Sequence, residues 1–492
     1  MMETTKSKLT RKKKLGYAFG IACESILYNM YYTYFLTFLV QILNVKPYLA
    51  GIVIFISIGW DAVTDSVIGY LSDRPGVDKR KLLMKSVLPL CICFVLAWSP
   101  IGNLFGDSQA LKIIFYTAVS VLIWLFYTTY TIPYYAVIAE ITEDYDERTQ
   151  IRGMSSLINA FCIGLGNALP ALVGMAVGAF TIAYIHVAGG LAMIAALTGF
   201  ICAASLRGVY QARMPKPDEP KQRGLGVAAT AKTFGEILRL KPVKFLLLFV
   251  FFFLAGNSML QSNLTYMVVH CIGVDYNEGI AVVIGVLVIT MAVSVPVVTK
   301  VCEKTDRRTA CLIFISVSAV GMLAVKLVGL EATVGGFHLM LALMPFLLGL
   351  GLSAFWTVFY SMAYDIVELD EFVNGKNGER RESAITGFPQ FVQKFGSATG
   401  ILLQGVILSA YGYNATAESG ADAATFKRVE DAFVRNGMEN VSTLIPAAII
   451  TVALVFLILY PMTRKTYNAL TTQLKNKREG KEYGTDELEK LL

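Results

Sequence analysis

The sequence is poor in charge and almost without histidine. Only 16% of its 492 residues are Asp, Glu, Lys or Arg, where a typical soluble domain carries about 25%, and just three are histidine. His186, His270 and His338 lie far from one another in the chain and away from acidic clusters, which argues against a metal centre built on imidazole. No glycine-rich phosphate loop stands between a strand and a helix: Gly164-Leu165-Gly166 falls inside an apolar run and reads as close helix packing. Energy for any uphill process must then come from an ion gradient or from the substrate's own. The eight cysteines (Cys23, Cys91, Cys93, Cys162, Cys202, Cys271, Cys302, Cys311) lie in or beside apolar blocks without ligand spacing. They read as buried small hydrophobes, not as a disulfide framework.

What is abundant is apolar surface, 55% of the chain. Charge-free stretches run from Met154 to Leu206, Phe245 to Val274 and Phe337 to Tyr364, each longer than the 18 or so residues that cross a bilayer. Soluble domains would need charged surface along the whole chain, so the class is an all-α membrane protein. We place twelve spans near 16–42, 48–72, 82–104, 111–139, 152–177, 180–206, 243–272, 279–301, 309–330, 337–364, 383–411 and 441–463. The basic stretch Lys6 to Lys14 precedes an apolar run far longer than a signal-peptide core, so the first span is retained. Lys and Arg gather in alternate loops, which places both termini in the cytoplasm and the chain in the cytoplasmic membrane. This distribution accounts for the net charge of +7 without nucleic acid as a partner.

Residues 207–242 form the longest internal polar stretch, with Pro215, Pro217 and Pro220, and read as a linker between six-helix halves at 1–206 and 243–463. A tail follows at 464–492, charged and expected to be peripheral. Loop chemistry repeats across the halves. Asp73-Arg74 after span two is matched by Asp306-Arg307 after span eight, and Glu140 after span four by Asp365 after span ten, at offsets of 233 and 225 residues. Two parallel repeats place a substrate site between them near the midplane.

Gly69-Tyr70-Leu71-Ser72-Asp73-Arg74-Pro75-Gly76 with Lys79-Arg80-Lys81 resembles the loop signature of the major facilitator superfamily. Trp60-Asp61-Ala62-Val63-Thr64-Asp65 inside span two resembles the W-D-A-x-x-D element of the glycoside-pentoside-hexuronide:cation symporters, the melibiose permease family. Tyr127-Thr128, Ile132-Pro133-Tyr134-Tyr135, Asp144 to Thr149 and Phe391 to Ser397 agree, in order, across both halves.

A charge at the centre of a spanning helix costs at least about 2.5–3.5 kcal/mol, and four lie well inside spans: Glu24, Asp61, Asp65 and Lys394. Asp61 and Asp65, four residues apart, share a helix face at about 6 Å. Two carboxylates so close in a poorly solvated place cannot both stay ionised without a cation or a proton. Oxygen ligands suit Na⁺ or Li⁺, with Thr128 adding an oxygen from span four; H⁺ is the alternative coupling ion, and no cofactor is expected. The resemblance implies the same cation role for Asp61, Asp65 and Thr128, and makes Lys394 a partner charge from the other half. A purely structural ion network between helices is the competing reading.

The family's sugar site is altered here. Alignment through Gly20 and Ile132-Pro133 puts Ser25 at the span-one acid with Glu24 just before it, Thr131 at the span-four acid, Ser156 near the span-five arginine and Tyr135 at the aromatic position. Glu24 either takes over hydroxyl binding, where charge-assisted bonds are strong, or packs between helices. Tyr28, Asn29, Asn257, Gln261, Asn263, Trp356, Gln390 and Gln393 are further polar or aromatic candidates, for each of which packing between helices is the favoured reading. Asp73, Arg74, Arg148 and Arg381 are assigned to gating loops.

The expected protein is thus a major facilitator carrier working as a monomer, with a sugar, glycoside or uronide as substrate and the bilayer as its setting. A lysolipid or amphipath carrier of the same branch is the alternative. A membrane transferase would want a surface cluster of His, Asp or Glu that the loops do not offer. The stretch 413–437, long for an outer loop, is expected to form a short surface helix.

Overall fold

The structure, a computed structural model, describes residues 9–72, 77–142, 145–177, 180–210, 235, 238–274, 276–374, 382–413, 429–485, 488 and 491. The chain divides into two compact units, one made of residues up to Lys221 with 276–281 and 413–427, the other of 222–275, 282–412 and 428–492.

The first unit contains α1 (Arg11–Ala18), α2 (Gly20–Thr37) closing in a π-turn at Phe38–Ile42, α3 (Pro47–Ser72), α4 (Lys79–Ala97), a 3₁₀ turn at Pro100–Phe105, α5 (Gln109–Ile141), α6 (Tyr145–Val177) and α7 (Phe180–Ser205). Inside it α3 lies along α5, α4 between α5 and α7, and α2 between α6 and α7. Small residues allow the closest approaches: a Cβ on Gly166 of α6 would stand 2.8 Å from the Ile26 carbonyl and 3.1 Å from Asn29 Cβ of α2. Where apolar burial gives no directional drive, such contacts let two helix backbones meet.

The second unit holds α8 (Lys241–Tyr266) with a π-turn at Met267–Ile272, α9 (Tyr276–Lys304) from Val282 onward, α10 (Arg307–Val328), a hairpin of two-residue strands pairing Thr333 with His338 and Val334 with Phe337, α11 (Met340–Asn374), α12 (Glu382–Ala410), α13 (Ala432–Ser442), α14 (Leu444–Leu459) and α15 (Arg464–Arg478). Here α8 is clasped by α12 and α14, and α10 by α11 and α14. Built Cβ atoms on Gly396 and Gly400 of α12 would lie 2.6 Å from the Phe251 carbonyl and 2.1 Å from the Ala255 carbonyl of α8. Helix starts follow their side chains: Asp78, Ser108, Asp306, Asp431 and Thr463 each accept a hydrogen bond from a backbone N–H of the first turn, which supplies a partner the helix itself cannot.

Among the described residues nine helices are long and apolar enough to cross a membrane. The three further expected spans, 16–42, 82–104 and 152–177, lie largely in helices too; Glu24 and Asn29 lower the hydropathy of α2, Arg80, Lys81 and Lys85 put charge into α4, and within α6 the stretch Leu157–Asn167 is apolar. Several boundaries differ from expectation. The span 16–42 is split at Phe19, and 82–104 ends as helix at Ala97. The expected span 441–463 is interrupted at Thr443, where Pro446 has no N–H to offer the Ser442 carbonyl and Thr443 Oγ1 donates back to the Glu439 carbonyl at 2.6 Å. Helix α11 starts after the hairpin and continues ten residues beyond Tyr364, which draws Asp365, Asp370 and Glu371 into it as buried acids. The surface helix expected in 413–437 is α13, beginning at Ala432; 414–428 lie outside the described residues.

The segment after Tyr467 is not peripheral. Helix α15 buries Leu470 and Leu474, and Arg478 forms a bidentate pair with the buried Glu371 of α11 at 2.8 and 2.6 Å. Lys477 Nζ donates to the Phe372 carbonyl at 2.5 Å. Burial pushes the Tyr467 phenol up to about 12, so it meets the Arg307 guanidinium, 5.8 Å from its ring centre, as a neutral ring.

Candidate functional site

Helix α3 carries Ser57, Asp61 and Asp65 at four-residue intervals, and α5 carries Ser120, Trp124 and Thr128 likewise. Side chains four apart stand above one another on a helix, so each helix presents a polar stripe. The stripes meet at Thr128: its Oγ1 lies 2.6 Å from Asp61 Oδ1 and 2.9 Å from Asp65 Oδ1. Asp61 and Thr128 expose nothing to solvent, while Asp65 is half-buried. Thr64 donates its hydroxyl to the Asp61 backbone carbonyl at 3.0 Å, which ties down the turn between the two acids.

The bridge sets a proton count. A threonine hydroxyl has one proton to donate, yet it stands within hydrogen-bond distance of two carboxylate oxygens. It donates to one. The other contact is favourable when that carboxyl holds a proton of its own, or when a cation sits among the three oxygens. Three hard oxygen ligands with two formal negative charges suit an alkali cation and offer nothing to a soft transition metal. Among the described residues no group of three or more His, Cys, Asp or Glu is placed to hold a metal ion.

One helix away, Glu24 of α2 accepts a hydrogen bond from Tyr135 of α5 at 3.0 Å. Tyr135 is 36% exposed and Glu24 half-buried, so this pair faces accessible space. Tyr28 stacks on Tyr32 at 4.3 Å between ring centres and stands edge-on to Trp124 at 6.1 Å, with Tyr127 beside it. Ser25 and Thr131 are buried, at 4% and 6% exposure. Within α2 the Ser25 backbone carbonyl accepts a hydrogen bond from Asn29 Nδ2 at 2.8 Å.

In the second unit Lys394 is half-buried and Gln390 exposed on α12, and Trp356 packs against Phe355 and Phe359 on α11. Asn263 is fully buried: Gln404 Nε2 donates to its carbonyl at 3.0 Å and its amide donates to Ser442 Oγ at 2.6 Å. Its hydrogen bonds are used in packing. Of the gating residues, Asp73, Arg74 and Arg381 lie outside the described residues, as do the side chains of Arg148 and Ser156. The matching motif of the second half is described, and there Arg307 pairs with Asp365. Sequence reasoning passed over Ser57, Ser120 and Trp124, which extend the two stripes; the four-residue repeat of polar positions on both helices was the available signal.

The profile of the family described as MFS/sugar transport protein matches residues 16–464. "Uncharacterized symporter YjmB" of Bacillus subtilis is 23% identical over 96% of this chain and 97% of its own. "Sodium-dependent lysophosphatidylcholine symporter 1-A" of Danio rerio is 23% identical over 99% of this chain and 92% of its own. "Uncharacterized symporter sll1374" of Synechocystis is 29% identical, with 37% of this chain and 32% of that one aligned. Among solved structures the nucleoside transporter NupG superposes with a TM-score of 0.61 at 12% identity, covering 92% of this chain and 99% of that one. A bacterial homologue of the human lysosomal transporter Spinster gives 0.60 at 15% identity over 94% and 98%. These likenesses establish the major facilitator fold. The chain belongs to the MFS/sugar transport protein family and is a multi-pass membrane transporter of the secondary active class.

Proposed function

We propose that this transporter is a cation-coupled symporter of the melibiose permease type, in which Asp61, Asp65 and Thr128 bind Na⁺, Li⁺ or H⁺. The observation that carries this reading is the Thr128 hydroxyl standing between the two carboxylates. Cation binding neutralises the pair and draws α3 and α5 together through Thr128, which favours substrate in the adjoining space. Lys394 supplies the partner charge when no cation is bound, and Asp73, Arg74, Arg148 and Arg381 act in gating. The halves 1–206 and 243–463 rock about the site, with both termini in the cytoplasm. By reciprocity, substrate then tightens cation binding by the factor that the cation tightens substrate.

The substrate in this reading is a sugar, glycoside or uronide whose hydroxyls meet Glu24 and Tyr135 and whose ring faces Tyr28, with Trp356 and Gln390 contributing from the second half. A second reading, a lysolipid or other amphipath, is favoured by the Danio rerio relative's name and by the burial of Ser25 and Thr131, where the family's sugar acids would stand.

Thermal unfolding of the detergent-purified protein in NaCl, LiCl or KCl at equal ionic strength tests the cation site. A ligand at 100 times its Kd stabilises by about 2.7 kcal/mol. Sodium or lithium should raise the midpoint of the wild type and leave Asp65→Asn unmoved; equal gains in both proteins would sink the assignment. Uptake into vesicles under a sodium or a pH gradient then separates the substrates: dependence on sugar configuration supports a glycoside, and dependence on acyl-chain length an amphipath.

A further inference from the structure

Helix α2 carries Glu24, Tyr28 and Tyr32 at four-residue intervals, and α5 carries Trp124, Tyr127, Thr131 and Tyr135 at intervals of three and four, so each set lies along one face of its helix. The two faces meet in register, running in opposite directions. Tyr135 donates to Glu24 at 3.0 Å, the Tyr28 ring centre stands 6.1 Å from that of Tyr127, and the Tyr32 ring centre 5.7 Å from that of Trp124. Tyr28 and Tyr32 also stack on each other at 4.3 Å, and Trp124 meets Tyr127 at 5.1 Å. Burial is graded across this wall: Trp124, Tyr127 and Thr131 expose 1%, 7% and 6%, whereas Glu24, Tyr28 and Tyr32 are half-buried and Tyr135 is 36% exposed. The buried rings back the half-buried ones, and the accessible side presents tyrosine rings with a carboxylate at one end.

Such a surface has one electrostatic sign. The faces of aromatic rings carry the negative part of a quadrupole, and the acid adds a formal charge. Helix α2 contains no Lys, Arg or His, and α5 only Lys112, roughly 34 Å along the helix from Tyr135. The bond from Tyr135 fixes where the carboxylate points. Tyr28 lies one turn from Glu24, with about 5–6 Å between their Cβ atoms, and a cation is attracted to a ring within about 6 Å of its centre. A group the size of an ammonium therefore reaches the ring and the acid together. An anion is repelled by both, and a neutral hydroxyl gains the acid's hydrogen bond without the attraction to the ring. We propose that Glu24, Tyr28 and Tyr135 bind a positively charged nitrogen of the substrate, a protonated amine or a quaternary ammonium, and that uronides are refused. This rests on the substrate site proposed above and narrows it; an amino sugar and a cationic amphipath both bring the required group.

The probes are choline and its neutral isostere 3,3-dimethyl-1-butanol, glucosamine and glucose, and glucuronate. Each is titrated against the thermal midpoint of the full-length protein in detergent at a fixed, high concentration of NaCl. At least one amine should bind about tenfold or more tighter than its neutral partner, in keeping with attraction to both a ring and an acid, and glucuronate should not bind. Preference within the choline pair assigns an ammonium head group, and preference within the glucosamine pair an amino sugar. Glu24→Gln and Tyr28→Leu should cut the preference to about twofold or less, while Tyr28→Phe, which keeps the ring, retains it; a merely structural role would change the midpoint without changing this ratio. Neutral probes binding as well as the amines, glucuronate binding as well as either amine, no probe binding, or an undiminished preference in Glu24→Gln overturns the proposal. Should Tyr28→Leu not fold, Glu24→Gln, close in size to the native residue, decides alone. A wild type whose midpoint no alkali cation raises overturns the Asp61–Asp65 cation site, and the amine preference still decides the substrate class.

Discussion

A single hydroxyl serving two carboxylates is a narrow chemical specification. Thr128→Ser keeps the oxygen and is expected to hold sodium affinity near the wild-type value. Thr128→Val keeps the shape but removes the hydroxyl that both Asp61 and Asp65 meet, and should weaken sodium binding at least about tenfold, near the size of losing a ligand-orienting group. Sodium titration of the thermal midpoint reads both. Asp61 and Asp65 were legible in the chain because charge inside an apolar run is costly and their spacing puts them on one face. Glu24 was legible as a charge, but its partner was not: the 3.0 Å bond from Tyr135 joins residues 111 apart in sequence. Tyr32 and Trp124 were less legible still, because tyrosine and tryptophan are ordinary on membrane helices and only their packing around Tyr28 sets them apart.

At the scale of elements the two units share a feature that hydropathy does not carry. Helices α2 and α8 both close in a π-turn, starting at Phe38 and Met267, and a left-handed residue follows each, Asn44 with φ 53° and Gly273 with φ 79°. Both correspondences span 229 positions (38 to 267, 44 to 273), between the loop-motif offsets of 225 and 233. In the first unit the buried Lys112 donates to the Leu43 carbonyl at 2.7 Å, meeting an acceptor that the end of the π-turn leaves open. Lys112→Met should cost about 2 kcal/mol of stability, the scale of a hydrogen bond to a charged group, read by thermal unfolding. The chain betrays no such turns because its apolar runs continue through them. The break at Thr443 was more accessible, since Pro446 marks a lost helical hydrogen bond. Glycines offer a paired test: Gly400→Ala meets the Ala255 carbonyl and should lower stability by about 3 kcal/mol or more, whereas Gly59→Ala, with nothing within 4 Å of its built Cβ, should be neutral or slightly stabilising.

Across the whole molecule, most helical spans were readable from apolar length, nine of them among the described residues being long and apolar enough to cross a membrane, whereas the docking of the last segment was not. A run such as Lys475 to Arg478 looks like a solvated tail until the buried Glu371, itself the product of an α11 longer than its apolar core, gives it an anchor. Because Arg478 is half exposed, the bidentate pair is expected to couple by about 1 kcal/mol; a double-mutant cycle of Glu371→Gln and Arg478→Met by thermal unfolding checks it. The contact between α8 and α12 has a mechanical consequence. At Gly396 and Gly400 the helices touch with no side chain between them to act as a cushion, and one turn farther along Gln404 bonds to Ser262 and Asn263. Lys394 is carried on that same stretch of α12. The two helices therefore behave as one stiff beam, and a force that moves the lysine is transmitted to α8 as a displacement of the whole pair.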